Sequence, residues 1–344
     1  MSKLNSYERV MLCFEGRKPD RVPVFPMVRE WCSRQAGFSF LETMTNVEKY
    51  VYAQLYCAKK FGYDCVWDLH GVHAESEAMG SKISYGEGKS PTVEKPAISN
   101  YDQDLKTLNL LDPHKDGRLP QILQGIERLK ELCDREIPVI GYVQGPFRHA
   151  AMLRGTEMLL REVYKDKNNV RKLLEIALDS LIVWGTAVAH AGADIVMISD
   201  PVSSGDMVSP KLYKEWSLPY TKRLCQAIKK SGVKVFMHIC GDTMDRLEML
   251  AETEVEGLSL DSKVDFAVAR EKLGPDYLLI GNVDPIDPLL FGSPEQVFEH
   301  CKKVIVQAGL EGHLILSAGC QVPEETPAPN LEAMMKAAQE FLFY

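Results

Sequence analysis

Apolar and polar positions change rhythm along this chain at regular intervals. Short β-branched runs that end in polar residues or Gly occur at residues 21–28 (RVPVFPMV), 65–69 (CVWDL), 138–144 (PVIGYVQ), 195–200 (IVMISD), 234–240 (KVFMHIC), 257–261 (GLSLD), 277–283 (YLLIGNV) and 313–318 (HLILSA). Between and after them, residues 47–61, 119–135, 157–164, 168–190, 210–230, 244–251, 266–273, 294–307 and 331–343 carry apolar side chains at i, i+3, i+4 spacing, the pattern of helices with one buried face. Strand then helix, repeated, predicts a parallel sheet. Eight strands are what a closed (β/α)8 TIM barrel needs, although a doubly wound open sheet uses the same alternation. Boundary chemistry agrees: Ser293-Pro294-Glu295 supplies an N-cap, a first-turn Pro and an acid, and Gly232 and Gly309 stand just past helix ends.

Two stretches depart from the rhythm. Residues 1–20 form a helical extension before the first strand, and residues 71–117, which include GSKISYGEGKSPTVEKPAISNYDQD, form a long loop or lid after the second. The expectation is a single barrel domain over residues 1–344 carrying these decorations.

Composition narrows the partners. The formal net charge is −8, with 45% hydrophobic and 26% charged residues of mixed sign, the balance of a folded globular protein without a basic stripe for nucleic acid. No apolar run approaches the roughly 20 residues needed to span a bilayer, and charges interrupt the start at Glu8, Arg9 and Glu15, so a cytoplasmic protein is expected. Nine scattered cysteines fit a reducing compartment, most of them as core thiols.

In a barrel the active site is built from residues that follow the strands at the C-terminal face. Those positions hold Arg29, Asp68 with His70, Gln144, Asp200, His238 with Cys240, Asp261, Asn282 with Asp284, and Cys320. Asp and Asn also favour strand-to-helix turns for purely structural reasons. His238 and Cys240 are different. At i and i+2 of a strand they point to one side, and Cys320 at the end of the last strand belongs to the same mouth. An H-x-C pair alone is more often packing than ligation; the third residue makes a His-Cys-Cys set. Three ligands with an open fourth position are the pattern of catalytic zinc, and thiolates favour zinc over Mg or Mn, with iron the other metal that suits them. Such a site prepares a sulfur nucleophile for alkylation.

The order of motifs resembles the uroporphyrinogen decarboxylase superfamily. The likeness is carried by SDPVSSGDMVSPKLYKEWSLPYTKRL (199–224), GNVDP (281–285) and FGYDCVWD ending on Asp68. It implies a single (β/α) barrel. The decarboxylase chemistry transfers poorly: SRQAGFSF keeps Arg34 but has Phe38 where a second Arg is expected, a pocket Tyr falls near Met152, and Gly-His-Gly becomes Gly319-Cys320-Gln321. HICGD and SAGCQVPEETP instead resemble the zinc-dependent cobamide methyltransferase branch, similar to the methylcobamide:coenzyme M methyltransferases.

That resemblance implies Zn2+ on His238, Cys240 and Cys320, acting as Lewis acid; the strand-end positions put Arg29, Asp68, His70, Gln144, Asp200, Asp261 and Asn282 around the expected substrate and corrinoid pocket. It implies methyl transfer between a corrinoid cobalt and a zinc-activated substrate, either a thiol acceptor or, in reverse, a methyl ether or methanol donor. The corrinoid is expected on a separate protein, because DLHGVH (68–73) has His73 where a cobalamin motif needs Gly. The alternatives are a tetrapyrrole decarboxylase and a non-catalytic barrel that binds a tetrapyrrole or corrinoid.

Overall fold

The β-branched runs pair as eight parallel strands: β1 (Val24–Phe25), β2 (Val66–Trp67), β3 (Val139–Gln144), β4 (Ile195–Ser199), β5 (Lys234–Ile239), β6 (Gly257–Leu260), β7 (Leu278–Val283) and β8 (Leu314–Ala318). The computed structural model describes residues 4–68, 72–85, 91–309 and 312–342. Neighbours run β1-β8-β7-β6-β5-β4-β3-β2, a (β/α)8 TIM barrel whose seam lies between β1 and β2. Asp64 closes that seam: its amide donates to the Val24 carbonyl at 2.8 Å, and its carboxylate accepts from the Val24 amide at 2.8 Å. The same buried carboxylate takes Arg9 at 2.8 Å and Arg21 at 2.9 Å, so its charge is paired twice.

Alternation along the strands decides what faces inward. Ile140 and Tyr142 of β3, Ile195 and Met197 of β4, Phe236 of β5, Leu278 and Ile280 of β7 and Ile315 of β8 fill the interior with Phe25, Met27 and Trp67. Their strand neighbours, such as Val143, Val196, Val235 and Leu279, pack outward under the helices. The lower end is closed by the helix Ser6–Phe14, started by an Asn5/Glu8 capping box, which sends Val10, Cys13 and Phe14 into this interior.

Several elements differ from their sequence reading, each for a local reason. Pairing on the first strand shrinks from 21–28 to Val24–Phe25 because Pro23 and Pro26 have no N–H to give a ladder. The expected helix 210–230 is two helices, Pro210–Trp216 and Leu218–Lys229, divided where Pro219 cannot continue the first. The last helix runs from Ala328 to Glu340, starting earlier than expected because Pro is well placed in a first turn. Helices Glu30–Gln35, Phe40–Thr45 and Pro146–Arg154 were not legible in the apolar period.

The excursion after β2 carries structure of its own: a helix Ala74–Ala78, an antiparallel pair Lys82–Ser84 with Thr92–Lys95, and a helical turn Tyr101–Asp104. One helix, Lys167–His190, is long and apolar enough to cross a membrane by length and composition, contrary to the sequence reading, because residues 173–190 carry only Glu175 and Asp179 as charges. Its apolar face, with Leu173, Leu174, Leu178, Leu181, Trp184 and Val188, is buried in the outer core.

Candidate functional site

On β5 the inward row continues Phe236, His238, Cys240, and the last of these stands just past the strand end. The chain then turns sharply at Gly241, with φ of 88°. A Cβ there would meet Asp206 Oδ2 at 2.4 Å, so only Gly fits both the angle and the space. The Gly241 amide donates to Asp261 Oδ2 at 2.8 Å, which fixes the turn against β6. Across the mouth, Gly319 donates to the Val283 carbonyl at 2.7 Å and brings Cys320 off the end of β8.

These two strand ends place three donors together. His238 Nε2 is 3.0 Å from Cys240 Sγ, Cys240 Sγ is 3.3 Å from Cys320 Sγ, and all three atoms lie within 4.8 Å of one another. Among the described residues this is the one such cluster. Ser259 Oγ lies 3.0 Å from His238 Nδ1, which occupies that nitrogen and orients Nε2 toward the thiols. The hydrogen bond with Cys320, followed by the Arg148 charge, holds the Cys240 thiol below its ordinary value; the same bond and burial push Cys320 up. One imidazole and two thiols at these separations fit a single tetrahedral dication, for which Zn–S bonds of about 2.3 Å put sulfurs roughly 3.8 Å apart. The other seven cysteines are buried core thiols.

The cluster forms one end of a cavity of about 140 Å³. Met27, Trp67, Val72, Tyr142 and Met197 make its wall largely apolar; Arg29, Asp68, Arg148, Ser199 and Gln321 add polar groups. Arg29 is paired with Glu30 at 2.7 Å and lies over the Phe40 ring. Arg148 is buried, and it donates to Tyr142 Oη, to Ser199 Oγ at 3.4 Å and to the Val72 carbonyl at 2.9 Å.

Of the residues singled out in the sequence, His238, Cys240, Cys320, Arg29 and Asp68 meet in this cavity. Four others stand behind it as braces. Gln144 gives two hydrogen bonds of 3.0 Å to the buried Glu75, through its amide and its side chain. Asp200 accepts from Ser217 at 3.2 Å, and burial pushes it up to about 6. Asp261 holds Gly241, and Asn282 donates to the carbonyls of Asp261 and Val264 at 3.1 and 2.7 Å. His70 lies outside the described residues. Sequence reasoning missed Arg148, Tyr142 and Ser199. Arg148 had the only usable signal, a cation three residues into GPFRHAAM just after the third strand.

Comparison with known proteins follows the same lines. Residues 5–341 match the uroporphyrinogen decarboxylase (URO-D) family. A methylcobamide:CoM methyltransferase, MtbA, of Methanosarcina acetivorans is 30% identical over the whole of both chains. A methylated-thiol–coenzyme M methyltransferase of Methanosarcina mazei is 29% identical over 78% of this chain and 70% of its own. Among solved structures, a methyltransferase from Methanosarcina mazei superposes with a TM-score of 0.89 at 25% identity, covering 98% of this chain and 99% of that one.

Proposed function

The chain belongs to the uroporphyrinogen decarboxylase family, and on that premise we propose that it is a zinc-dependent methyltransferase moving a methyl group from the cobalt of a separate corrinoid protein to the sulfur of a small thiol. The observation that carries this reading is the convergence of His238, Cys240 and Cys320 at the end of a largely apolar cavity. Those three residues would hold the zinc, which when bound supplies Lewis acidity that keeps a coordinated thiol deprotonated at neutral pH. The similarity to methyltransferases named for methylcobamide, coenzyme M and methylated thiols supports the corrinoid partner and the thiol.

The chain's own contribution is position and exclusion of water. Ser259 fixes the His238 ring, and the Gly241 turn held by Asp261 sets Cys240 at the mouth. Met27, Trp67 and Met197 keep water from the reacting sulfur, which strengthens its attack. The thiol proton leaves to solvent, a sulfur–carbon bond forms, and the carbon–cobalt bond breaks with its electron pair staying on cobalt. In-line approach of the two centres makes positioning the main source of rate. A tetrapyrrole decarboxylase has less support, because a cavity of about 140 Å³ is small even beside the roughly 300 Å³ lower bound for drug-sized ligands.

Metal analysis joined to a cobalt spectrum tests the reading. The wild-type protein is expected to carry about one zinc per chain, lost in Cys240→Ala and Cys320→Ala. With methylcobamide and 2-mercaptoethanesulfonate, the methyl-Co(III) spectrum is expected to convert to that of Co(I), and both variants should lose at least ~100-fold in rate. A zinc-free wild type would sink the proposal; conversion seen only from Co(I) and a methyl ether would reverse its direction. Corrinoid binding without transfer in any pairing would make the barrel a carrier.

A further inference from the structure

Arg148 has an environment unusual for a guanidinium. It is buried, it faces the cavity that holds the His-Cys-Cys cluster, and its hydrogen-bond acceptors are a phenol, a hydroxyl and a backbone carbonyl. Among the described residues no carboxylate lies within ion-pair distance of it, whereas Arg29 in the same wall is neutralised by Glu30. A buried guanidinium without a carboxylate in direct contact is costly, and an anionic ligand in the cavity would offset that cost. Its place in the fold says which ligand. Ser199, one of its acceptors, stands directly across the sheet ladder from His238, and Arg148 lines the same cavity as His238, Cys240 and Cys320.

A charge count completes the argument. A dication held by two thiolates and a neutral imidazole is itself neutral, so an added thiolate leaves one negative charge in a largely apolar cavity, where it is screened less than in water. Resting on the functional reading above, we infer that Arg148 is the fixed counter-charge of this cavity, holding the sulfur of a bound thiol in its anionic form by acting on the reacting atom and not on a distant acidic group of the substrate. Of the other charged groups around the cavity, Arg29 is paired with Glu30, Asp68 lines the wall, and Glu75 and Asp200 lie behind Arg148 as buried carboxyls beyond ion-pair distance, where their charges favour the guanidinium without contacting it.

Two thiols separate the possibilities. 2-Mercaptoethanesulfonate and 2-mercaptoethanol share sulfur and spacer but differ in charge at the far end. Binding of each to zinc-loaded protein is measured by calorimetry, and thiolate ligation is followed by the sulfur-to-metal absorption of the Co(II)-substituted protein. In Arg148→Gln both thiols are expected to weaken alike, by roughly tenfold or more, with the pH at which the thiolate band appears rising by about one unit. Arg148→Lys should restore part of both, and it decides the question if the Gln variant does not fold. Loss confined to the sulfonate-bearing thiol, in either variant, overturns the inference, as does no change in either thiol or loss of zinc from folded Arg148→Gln. A wild-type protein that holds zinc and binds neither thiol overturns the functional reading, and this inference with it.

Discussion

Glu75 is a carboxyl group kept wholly from water beside the site, hydrogen-bonded by the amide and the side chain of Gln144. Burial pushes it up to about 7 from its ordinary 4.5. Between those values the folded protein keeps a proton that the unfolded chain has released, so unfolding releases a proton and stability falls as pH rises through this window. Glu75→Gln stays neutral throughout. Its stability relative to the parent should therefore climb from pH 5 to pH 7.5, by up to about 3 kcal/mol, in denaturant titrations at each pH; a difference that does not move with pH refutes the assignment. Glu75 was invisible in the sequence because an acid in the exposed-looking AESEA gives no sign of burial. His238, Cys240 and Cys320 were legible for the opposite reason: strand alternation and strand ends fix their side without knowledge of any loop. Asp261 and Asn282 were read as pocket residues, and the structure shows them holding backbone groups of the turns around them, which is what Asp and Asn most often do after strands.

Among elements, the helix Pro146–Arg154 matters most to the site, since it carries Arg148 into the cavity and His149 into the contact with Ser76 at 3.2 Å. Its N-cap, Gly145, gives no side-chain hydrogen bond, and Asp200 of the neighbouring strand end packs directly on it. A Cβ at Gly145 would lie 2.5 Å from the Cβ of Asp200. Gly145→Ala should therefore push helix and strand apart, costing about 1–3 kcal/mol in thermal unfolding and displacing Arg148 enough to weaken thiol binding; unchanged Tm and binding together would show that the close approach is not needed. This helix escaped the sequence reading because Arg148 and His149 sit at positions where period analysis expects apolar residues, although both are buried. The strands from β3 to β8 were legible because their β-branched runs are bounded by turns. The first strand was overlong because periodicity does not register that Pro23 and Pro26 cannot pair.

At the scale of the molecule the barrel has two unlike ends. The upper end gathers the metal-type donors, the cavity and the excursion after β2; the lower end is filled by the helix Ser6–Phe14, whose Phe14 ring lies 6.5 Å from that of Phe236. The alternating pattern foretold a barrel and an N-terminal helix, but which end that helix serves depends on contacts between residues far apart in the chain, such as Cys13 with Gly312. A plugged floor has a consequence for the sequence of events during turnover. If the proposed reaction is served through the upper mouth alone, the thiol and the corrinoid protein share one entrance, so the small substrate goes in first and its methylated product comes out last. Initial-rate kinetics should accordingly show compulsory order, with excess corrinoid protein in the unreacted form slowing thiol entry; random addition would mean that a second passage exists. In the proposed reaction, the bottom helix, by closing one door, would turn two substrates into a queue.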